Sequence, residues 1–144
     1  MIARMVLPVD GSPTSAKAIK LAREVALQFN AAVIVLWVRP PYWVRGMGLE
    51  NPVGAVPAEY IADDEPDFVR TTVEMLRHGG VRVSSLVYKS QGAIGAEVVN
   101  AAQEVGADLI VIGTHGRSAI GGLVLGSVAY QVIHRAKCPV LTVR

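Results

Sequence analysis

This chain is poor in cysteine, in charge and in long apolar runs. Cys138 is its one cysteine, so no internal disulfide can form. Lys and Arg total 14 against 12 Asp and Glu, and neither sign gathers in a run, which argues against nucleic acid or a membrane surface bound by charge. No apolar stretch is long enough for a membrane span, and Arg4 and Asp10 interrupt the apolar N-terminus where a signal peptide needs continuity. We therefore expect a cytoplasmic protein with a reduced thiol.

Two common phosphate-binding motifs are also missing. Gly121 to Ser127 places glycines at the spacing of a P-loop, but Leu125 and Gly126 precede Ser127 and the lysine of that motif is absent. A dinucleotide fingerprint needs three close glycines after the first strand, and only Gly11 follows it here. The histidines have no metal-ligand spacing, and no nucleophile–base pair is evident. These gaps argue against a P-loop NTPase and a dinucleotide dehydrogenase.

What the chain does have is an alternation of strand and helix patterns. Apolar residues make up 51% of 144 residues, enough for one domain, residues 1–144, with a sizeable core. Runs rich in β-branched residues predict five strands: Met5–Val9, Ala32–Val38, Arg82–Tyr88, Leu109–Ile112 and Val140–Val143. Apolar residues at helical spacing predict four helices: Ser15–Phe29, Ala58–Arg77, Gly92–Val105 and Gly126–Ala136. This order predicts an α/β fold, a doubly wound, Rossmann-like parallel sheet covered by helices on both faces.

The helical spacing also predicts which side chains face the core. In the first helix these are Ile19, Ala22, Ala26 and Phe29, and in the second Phe68, Thr72, Met75 and Leu76. Ser12 or Thr14 is expected to cap the first helix, with Pro13 near its first turn. The segment from Arg39 to Pro57 breaks the alternation with four prolines, a Trp and a Tyr. We interpret it as a lid, an interface loop or a disordered excursion.

The most informative motif is glycine-rich and follows the fourth predicted strand. Gly113-Thr114-His115-Gly116 is followed after nine residues by Gly126-Ser127, at the start of the last helix. Glycines let backbone N–H groups approach an anion closely, and the N-terminus of the following helix adds its open N–H groups and positive dipole end. This order predicts a phosphate site. A plain helix cap at Gly126-Ser127 uses the same N–H groups, so both roles remain open.

Three further polar residues are candidates for the same site. Asp10 follows the first strand, and in a doubly wound sheet the ligand binds where the first and fourth strands end, so a contact to ribose hydroxyls or hydrated Mg²⁺ is favoured over a turn cap. The guanidinium of Arg117 suits a phosphate contact, but an exposed position in its loop is equally consistent with the sequence. His115 is a weaker candidate for phosphate or ribose.

Taken together, these segments resemble the universal stress protein family over nearly the whole chain. The pattern Gly113-x-x-Gly116-x(9)-Gly126-Ser127 is similar to that family's nucleotide motif. The beginning, Val6 to Ser12, is similar to its first strand and turn, and Gly106 to Gly113 to its fourth strand. Leu125 to Val128 and Cys138 to Val143 are similar to its last helix and strand.

The resemblance implies the sheet order 3-2-1-4-5 and binding of ATP with Mg²⁺, and it leaves open a related adenine nucleotide as the ligand. It implies that Pro8, Val9 and Val38 line the adenine and that Asp10 lies near the ribose or the metal. Gly113 and Gly116 would let the loop wrap the sugar and phosphates, and Gly126, Ser127 and Val128 would present N–H groups to the phosphates. The expected nucleotide-binding set also includes Ile112, His115 and Arg117.

A homodimer is the expected assembly. The resemblance implies pairing through the last strand, residues 139–143, and an apolar edge strand independently favours pairing with a second copy. A monomer whose edge is protected by Pro139 and Arg144 is the alternative.

Three functions remain open. The first is an ATP-dependent sensor or regulator of the stress response. The second is a slow ATPase or nucleotidyl-transfer enzyme, against which the absence of a placed general base argues. The third is an interaction module that needs no nucleotide.

Overall fold

The computed structural model describes residues 1–39, 65–115 and 125–144 of the chain. Over these ranges it contains a five-stranded sheet in the order β3-β2-β1-β4-β5, in which all the paired strands are parallel. The strands are β1 (Arg4–Pro8), β2 (Ala32–Arg39), β3 (Arg82–Lys89), β4 (Leu109–Gly113) and β5 (Val140–Val143). The helices are α1 (Pro13–Phe29), α2 (Asp67–His78), α3 (Ile94–Glu104) and α4 (Ser127–Arg135). The predicted fold class and sheet order are confirmed.

Element bounds agree with the sequence prediction to within two residues, with one exception. The second helix was predicted from residue 58, whereas α2 begins at Asp67 directly after Pro66, its N-cap. Proline fixes its own backbone in a conformation suited to a helix boundary. Residues 58–64 lie outside the described part of the chain, as does the proline-rich segment from 40 to 57.

Two apolar clusters cover the opposite faces of the sheet. One joins α1 and α2 to alternate residues of β1 and β2, such as Leu7 and Val35. The other joins α3 and α4 to the residues between them, such as Val6 and Leu36. Because both faces are covered, the central strands are continuously buried, as the run of buried residues in β4 illustrates. The edge strand β3 differs, since each of its residues is exposed or half-buried.

Two of the residues predicted to face the core are exposed. Phe29 is 52% exposed, since it is the last residue of α1 and the chain turns away at Asn30 in a left-handed conformation. Met75 is 49% exposed, because the buried stripe of α2 passes through other positions. That stripe consists of Val69, Thr72, Val73 and Leu76.

Asp108 connects the beginnings of β1 and β4. Its Oδ2 accepts the backbone N–H groups of Ala3 and Arg4, each at 2.9 Å. These two hydrogen bonds hold the pKa of Asp108 below its usual value, since they favour the charged carboxylate. The contact lies at the amino ends of the strands, opposite to the edge at which ligands of such sheets bind.

Candidate functional site

The turn between β1 and α1 forms the first part of the candidate site. Asp10 is half-buried, and its Oδ1 accepts the backbone N–H of Ser12 at 2.9 Å. Gly11 has a φ of +75°, which residues with a Cβ rarely adopt. Ser12 caps α1, because its Oγ accepts the N–H of Ser15 at 3.2 Å, and Pro13 occupies the first turn as predicted. The turn-cap interpretation of Asp10 is therefore realised, and it leaves a ligand role open.

The loop after β4 contacts this turn directly. Thr14 of α1 donates a hydrogen bond from Oγ1 to the carbonyl oxygen of His115. A Cβ at Gly113 would lie 3.0 Å from the carbonyl carbon of Thr14 and 3.1 Å from its oxygen. Glycine at position 113 therefore permits the close approach of α1 to the end of β4. Asp10 and Gly113 are thus brought to the same edge by the first turn of one helix.

Thr114 joins this loop to the beginning of α4. It is buried, and its carbonyl oxygen accepts the N–H of Gly126 at 2.6 Å. Its own N–H donates to the carbonyl of Val143, at the end of β5, at 2.7 Å. Thr114 Oγ1 lies 3.0 Å from Nδ1 of His115. The two glycine segments of the predicted phosphate motif are therefore in hydrogen-bond contact, and the last strand is attached to the same residue.

The N-terminus of α4 differs from those of the other helices in the described ranges. α1 has a serine cap, and the first turns of α2 and α3 contain Asp67 and Glu97. α4 has Gly126 as its N-cap, with neither a side-chain cap nor an acidic residue in its first turn. Its positive dipole end therefore lacks the usual internal compensation. Ser127, the first residue of the helix, is exposed.

Close packing against α3 fixes the position of α4. Gly95, in the first turn of α3, is buried against the first turns of α4. A Cβ at Gly95 would lie 2.6 Å from Cβ of Gln131 and 3.0 Å from the carbonyl oxygen of Val128. The amide oxygen of Gln131 is buried there without a hydrogen-bond partner. The two helices thus approach more closely than any residue with a side chain would allow.

The apolar residues predicted to line the adenine lie at or near the carboxyl ends of β1, β2 and β4. Pro8 ends β1, and Val9 follows it, hydrogen-bonded through its N–H to Leu36 at 2.9 Å. Val9 is buried on the α1–α2 side of the sheet, whereas Val38 and Ile112 are buried on the α3–α4 side. Gly116 and Arg117, the remaining candidates, lie outside the described residues.

Sequence reasoning missed the residues that connect these parts. Thr14 was considered as a cap, Thr114 only as a spacer in the glycine motif, and Gly95 not at all. The signal for Gly95 was a glycine at a core-facing position inside a helical pattern, where close packing is a common reason. Thr14 and Thr114 give no such signal, since their contacts join them to residues of other elements, in the case of Thr14 and His115 across 101 positions.

Neither a metal cluster nor a membrane helix is found in the described ranges. Within residues 1–39, 65–115 and 125–144, no group of three or more His, Cys, Asp or Glu side chains is placed to hold a metal ion. No helix in that part of the chain is long and apolar enough to cross a bilayer.

Comparison with known proteins identifies the family. The sequence profile of the universal stress protein family matches residues 1–144. This chain belongs to the universal stress protein family. It is 32% identical over 141 residues to universal stress protein MJ0531 of Methanocaldococcus jannaschii, covering 98% of this chain and 81% of that protein. It is 30% identical over 151 residues to universal stress protein YxiE of Bacillus subtilis, covering all of both chains.

Solved structures of universal stress proteins share the fold. One, in complex with cAMP, is 28% identical with a TM-score of 0.71 and covers 99% of this chain and 97% of its own. Another, from Archaeoglobus fulgidus in complex with dAMP, is 23% identical with a TM-score of 0.67 and covers 100% and 98%. The expected family and sheet order are therefore confirmed, and these structural neighbours bind adenine nucleotides.

Proposed function

We propose that this universal stress protein binds an adenine nucleotide, with ATP as the preferred ligand, where β1 and β4 end. In this proposal residues 1–144 form one nucleotide-binding domain that acts in the cytoplasm as a nucleotide-dependent regulator of the stress response. The observation that carries it is the uncapped N-terminus of α4, hydrogen-bonded through Gly126 to the glycine loop of β4. The adenine nucleotides bound by two structural neighbours support the ligand class.

The phosphates would bind at the first turn of α4. Gly126, Ser127 and Val128 supply N–H groups there, and the exposed hydroxyl of Ser127 adds a donor. No acidic side chain in that turn opposes an anion. Gly113 leaves room for the loop to approach the sugar, with His115 next to it. Gly116 and Arg117 complete the proposed phosphate contacts.

The base would lie over the ends of β1 and β2. The proposal assigns Pro8, Val9, Val38 and Ile112 to the adenine. Val38 and Ile112 lie on the α3–α4 side of the sheet, and Val9, whose side chain is buried on the opposite side, would contribute through its backbone. Purine rings bind in apolar sites with a few placed polar groups, which the backbone at strand ends can supply.

Mg²⁺ fits Asp10 through the phosphates rather than through a protein cage. This ion commonly binds through one or two carboxylates together with substrate phosphates and water. Asp10 is a half-buried carboxylate at the correct edge, with Oδ1 held by the N–H of Ser12. When bound, the ion would neutralise phosphate charge. Asp10 would orient it or the ribose hydroxyls.

A calorimetric titration with Mg-ATP tests the nucleotide proposal. Gly126→Val is compatible with the backbone, since φ is −71° and ψ is 155° at this position, but it places a branched side chain at the phosphate contact. We expect the wild type to bind and this variant to lose binding while remaining folded. Gly92→Val is the matched control, because a Cβ at Gly92 meets nothing within 4 Å. Absence of Mg-ATP binding by the wild type, or unchanged binding by Gly126→Val, would contradict the proposal.

We also propose a homodimer formed through β5, residues 139–143. β5 pairs with β4 on one side and has no strand on the other among the described residues. The opposite edge strand, β3, presents Arg82, Ser84 and Lys89, the kind of polar residues that protect an edge, whereas β5 is largely apolar. Tyr130 and Ile133 of α4, which packs on β5, are 54% and 41% exposed. A second copy would cover these side chains and pair with the open edge.

Thr142→Pro tests this dimer without affecting the β4 pairing. Ile110 N–H donates to Pro139 O and Thr114 N–H to Val143 O, so the residue between Leu141 and Val143 directs its N–H to the open edge. Proline at 142 removes that donor alone. By sedimentation velocity we expect a dimeric wild type, a monomeric Thr142→Pro and a dimeric Thr142→Val. A monomeric wild type, or a Thr142→Pro dimer of unchanged affinity, would contradict the proposal.

A further inference from the structure

We propose that Thr14 is a positioning residue of the nucleotide site, holding the β4 loop against the first turn of α1. This inference rests on the proposed function, since the ligand it concerns is the nucleotide bound at that loop. The residue itself touches neither the phosphates nor the base in the proposal. It acts through the loop that carries Gly113 and His115.

Two contacts of different kinds hold the loop at Thr14. The hydroxyl of Thr14 donates to the carbonyl oxygen of His115. The backbone of Thr14 packs onto Gly113 so closely that an added Cβ would lie 3.0 Å from its carbonyl carbon. The packing fixes the distance between helix and loop, and the hydrogen bond fixes the orientation of the His115 carbonyl. With both in place, the loop has one orientation relative to α1.

Ser12 extends this contact to Asp10, through its hydroxyl on one side and its backbone N–H on the other. Ser12 Oγ lies 3.3 Å from Thr14 Oγ1. Because the Thr14 proton is directed at His115, Ser12 is the donor in this pair. The N–H of Ser12 in turn donates to Oδ1 of Asp10 at 2.9 Å. Thr14 therefore lies between the proposed ribose or metal carboxylate and the proposed phosphate loop, and it fixes their relative position.

The loop in turn positions the beginning of α4. Thr114 is followed directly by His115, and its carbonyl oxygen accepts the N–H of Gly126 at 2.6 Å. The Thr14 hydroxyl holds the carbonyl of His115, the next one along the chain, so without this hydrogen bond rotation about the backbone bonds of His115 would weaken the contact between Thr114 and Gly126. A loop that must be ordered on binding costs affinity, whereas one already ordered does not. Removal of the Thr14 hydroxyl is therefore expected to weaken nucleotide binding without removing any ligand contact.

Three variants separate this role from a general loss of stability. Thr14→Val removes the hydroxyl at nearly constant volume, and Thr14→Ser restores it. Thr72→Val is the matched control, since Thr72 is equally a helical threonine, buried in α2, whose Oγ1 donates to the carbonyl of Phe68 at 2.7 Å. Each variant is titrated with Mg-ATP by calorimetry, and its free energy of unfolding is measured in parallel. Hydrogen exchange of the Thr114 and Gly126 amides is followed by NMR without ligand.

Thr14→Val is expected to raise the Kd for Mg-ATP about three- to tenfold, the range that corresponds to one hydrogen bond. It should also speed exchange of the Thr114 and Gly126 amides. Thr14→Ser should return both to within about twofold of wild type, and Thr72→Val should leave both unchanged even if it lowers stability. Equal Kd values for Thr14→Val and wild type, or no rescue by serine, would overturn the proposal. If the wild type binds no Mg-ATP, the proposed function fails, and unchanged amide exchange in Thr14→Val then overturns this inference separately.

Discussion

The N-termini of α1 and α4 lie at the same edge of the sheet and differ in how their polar groups are satisfied. At α1, the Ser12 hydroxyl accepts the N–H of Ser15, and Asp10 accepts the N–H of Ser12. At α4, the cap is a glycine and the first turn holds no acid. Both ends are connected to the β4 loop, one through Thr14 and the other through Thr114. The first end is therefore completed by the chain itself, and the second is the proposed phosphate site.

The N-terminus of α4 is therefore the one, among the helices in the described residues, with neither a side-chain cap nor an acidic residue in its first turn. Capping residues stabilise a helix by about 1 kcal/mol, so their absence at α4 costs stability that a bound anion can restore. α1, which carries the cap, provides the rigid support. Substitutions at the two helix ends should therefore have different effects: those at α4 on nucleotide affinity, and those at the α1 contact on stability.

The largest expected effect follows from an acid placed at α4. Ser127→Asp should weaken Mg-ATP binding roughly 100-fold, because a carboxylate a few ångströms from phosphate costs about 3 kcal/mol at a protein surface. The same change should maintain or raise the free energy of unfolding, since an acid in the first turn complements the helix dipole by about 0.3–1 kcal/mol. Calorimetry and chemical denaturation measure the two effects, which have opposite signs.

Ala16→Asp is the matched control for that change. Ala16 is exposed in the first turns of α1, so the same charge is added to the helix end that is already capped. We expect its effect on the Kd to be several-fold smaller than that of Ser127→Asp. Equal losses of affinity would show that the two ends do not differ as described.

Gly113→Ala tests the support that α1 gives to the loop. The new methyl group would lie 3.0–3.1 Å from backbone and Cβ atoms of Thr14, so α1 or the strand must shift. Overpacking of this kind costs about 1–3 kcal/mol, which denaturant unfolding measures. Gly92→Ala, at a position with nothing within 4 Å, is the control. A Gly113→Ala protein as stable as wild type would contradict the close contact.

Gly95→Ala tests the packing that places α4. A Cβ would meet Cβ of Gln131 at 2.6 Å and the carbonyl of Val128 at 3.0 Å. Because alanine favours a helix over glycine by about 1 kcal/mol, part of the clash is offset, and a net loss of about 1 kcal/mol is expected. The displaced first turn of α4 should also weaken Mg-ATP binding, measured by calorimetry. A gain in stability with unchanged binding would show that α4 does not depend on this contact.

The smallest effect is expected at the amino ends of the strands, far from the proposed ligand. The lowered pKa of Asp108 means that its carboxylate stabilises the fold above its unfolded pKa near 4, and that this contribution is lost as the pH falls through the folded value. Asp108→Asn should therefore lower the free energy of unfolding at pH 7, and the difference should narrow below about pH 4. Mg-ATP affinity at pH 7 should not change. A difference that is constant with pH would contradict the role of the charge.

The sequence predicted the architecture well because period and composition report burial directly. Apolar β-branched runs such as Leu109–Ile112 become buried parallel strands, and the sheet order followed from the family resemblance. The errors fall where tertiary context decides: Phe29, for example, is exposed because α1 ends there.

The chemistry of the candidate site can be proposed from the sequence, but the connections between its parts cannot. A glycine after a strand and a Gly-Ser before a helix indicate backbone N–H groups near an anion, whatever the rest of the fold. The link from Thr14 to His115 spans 101 positions in sequence, and nothing in local spacing reveals such a pair. For the same reason, Thr114 could not be recognised as the residue that joins the loop to both α4 and β5.

The most direct test of phosphate binding at α4 is an NMR titration of the intact chain with Mg-ATP, following the backbone amides at the N-termini of α1 and α4. We predict that the amides of Gly126, Ser127 and Val128 shift strongly and saturate together, whereas those of Ser12 and Ser15, already within the α1 cap, change little. Larger shifts at Ser12 and Ser15 than at Gly126 to Val128, or no saturable shift at α4, would contradict it.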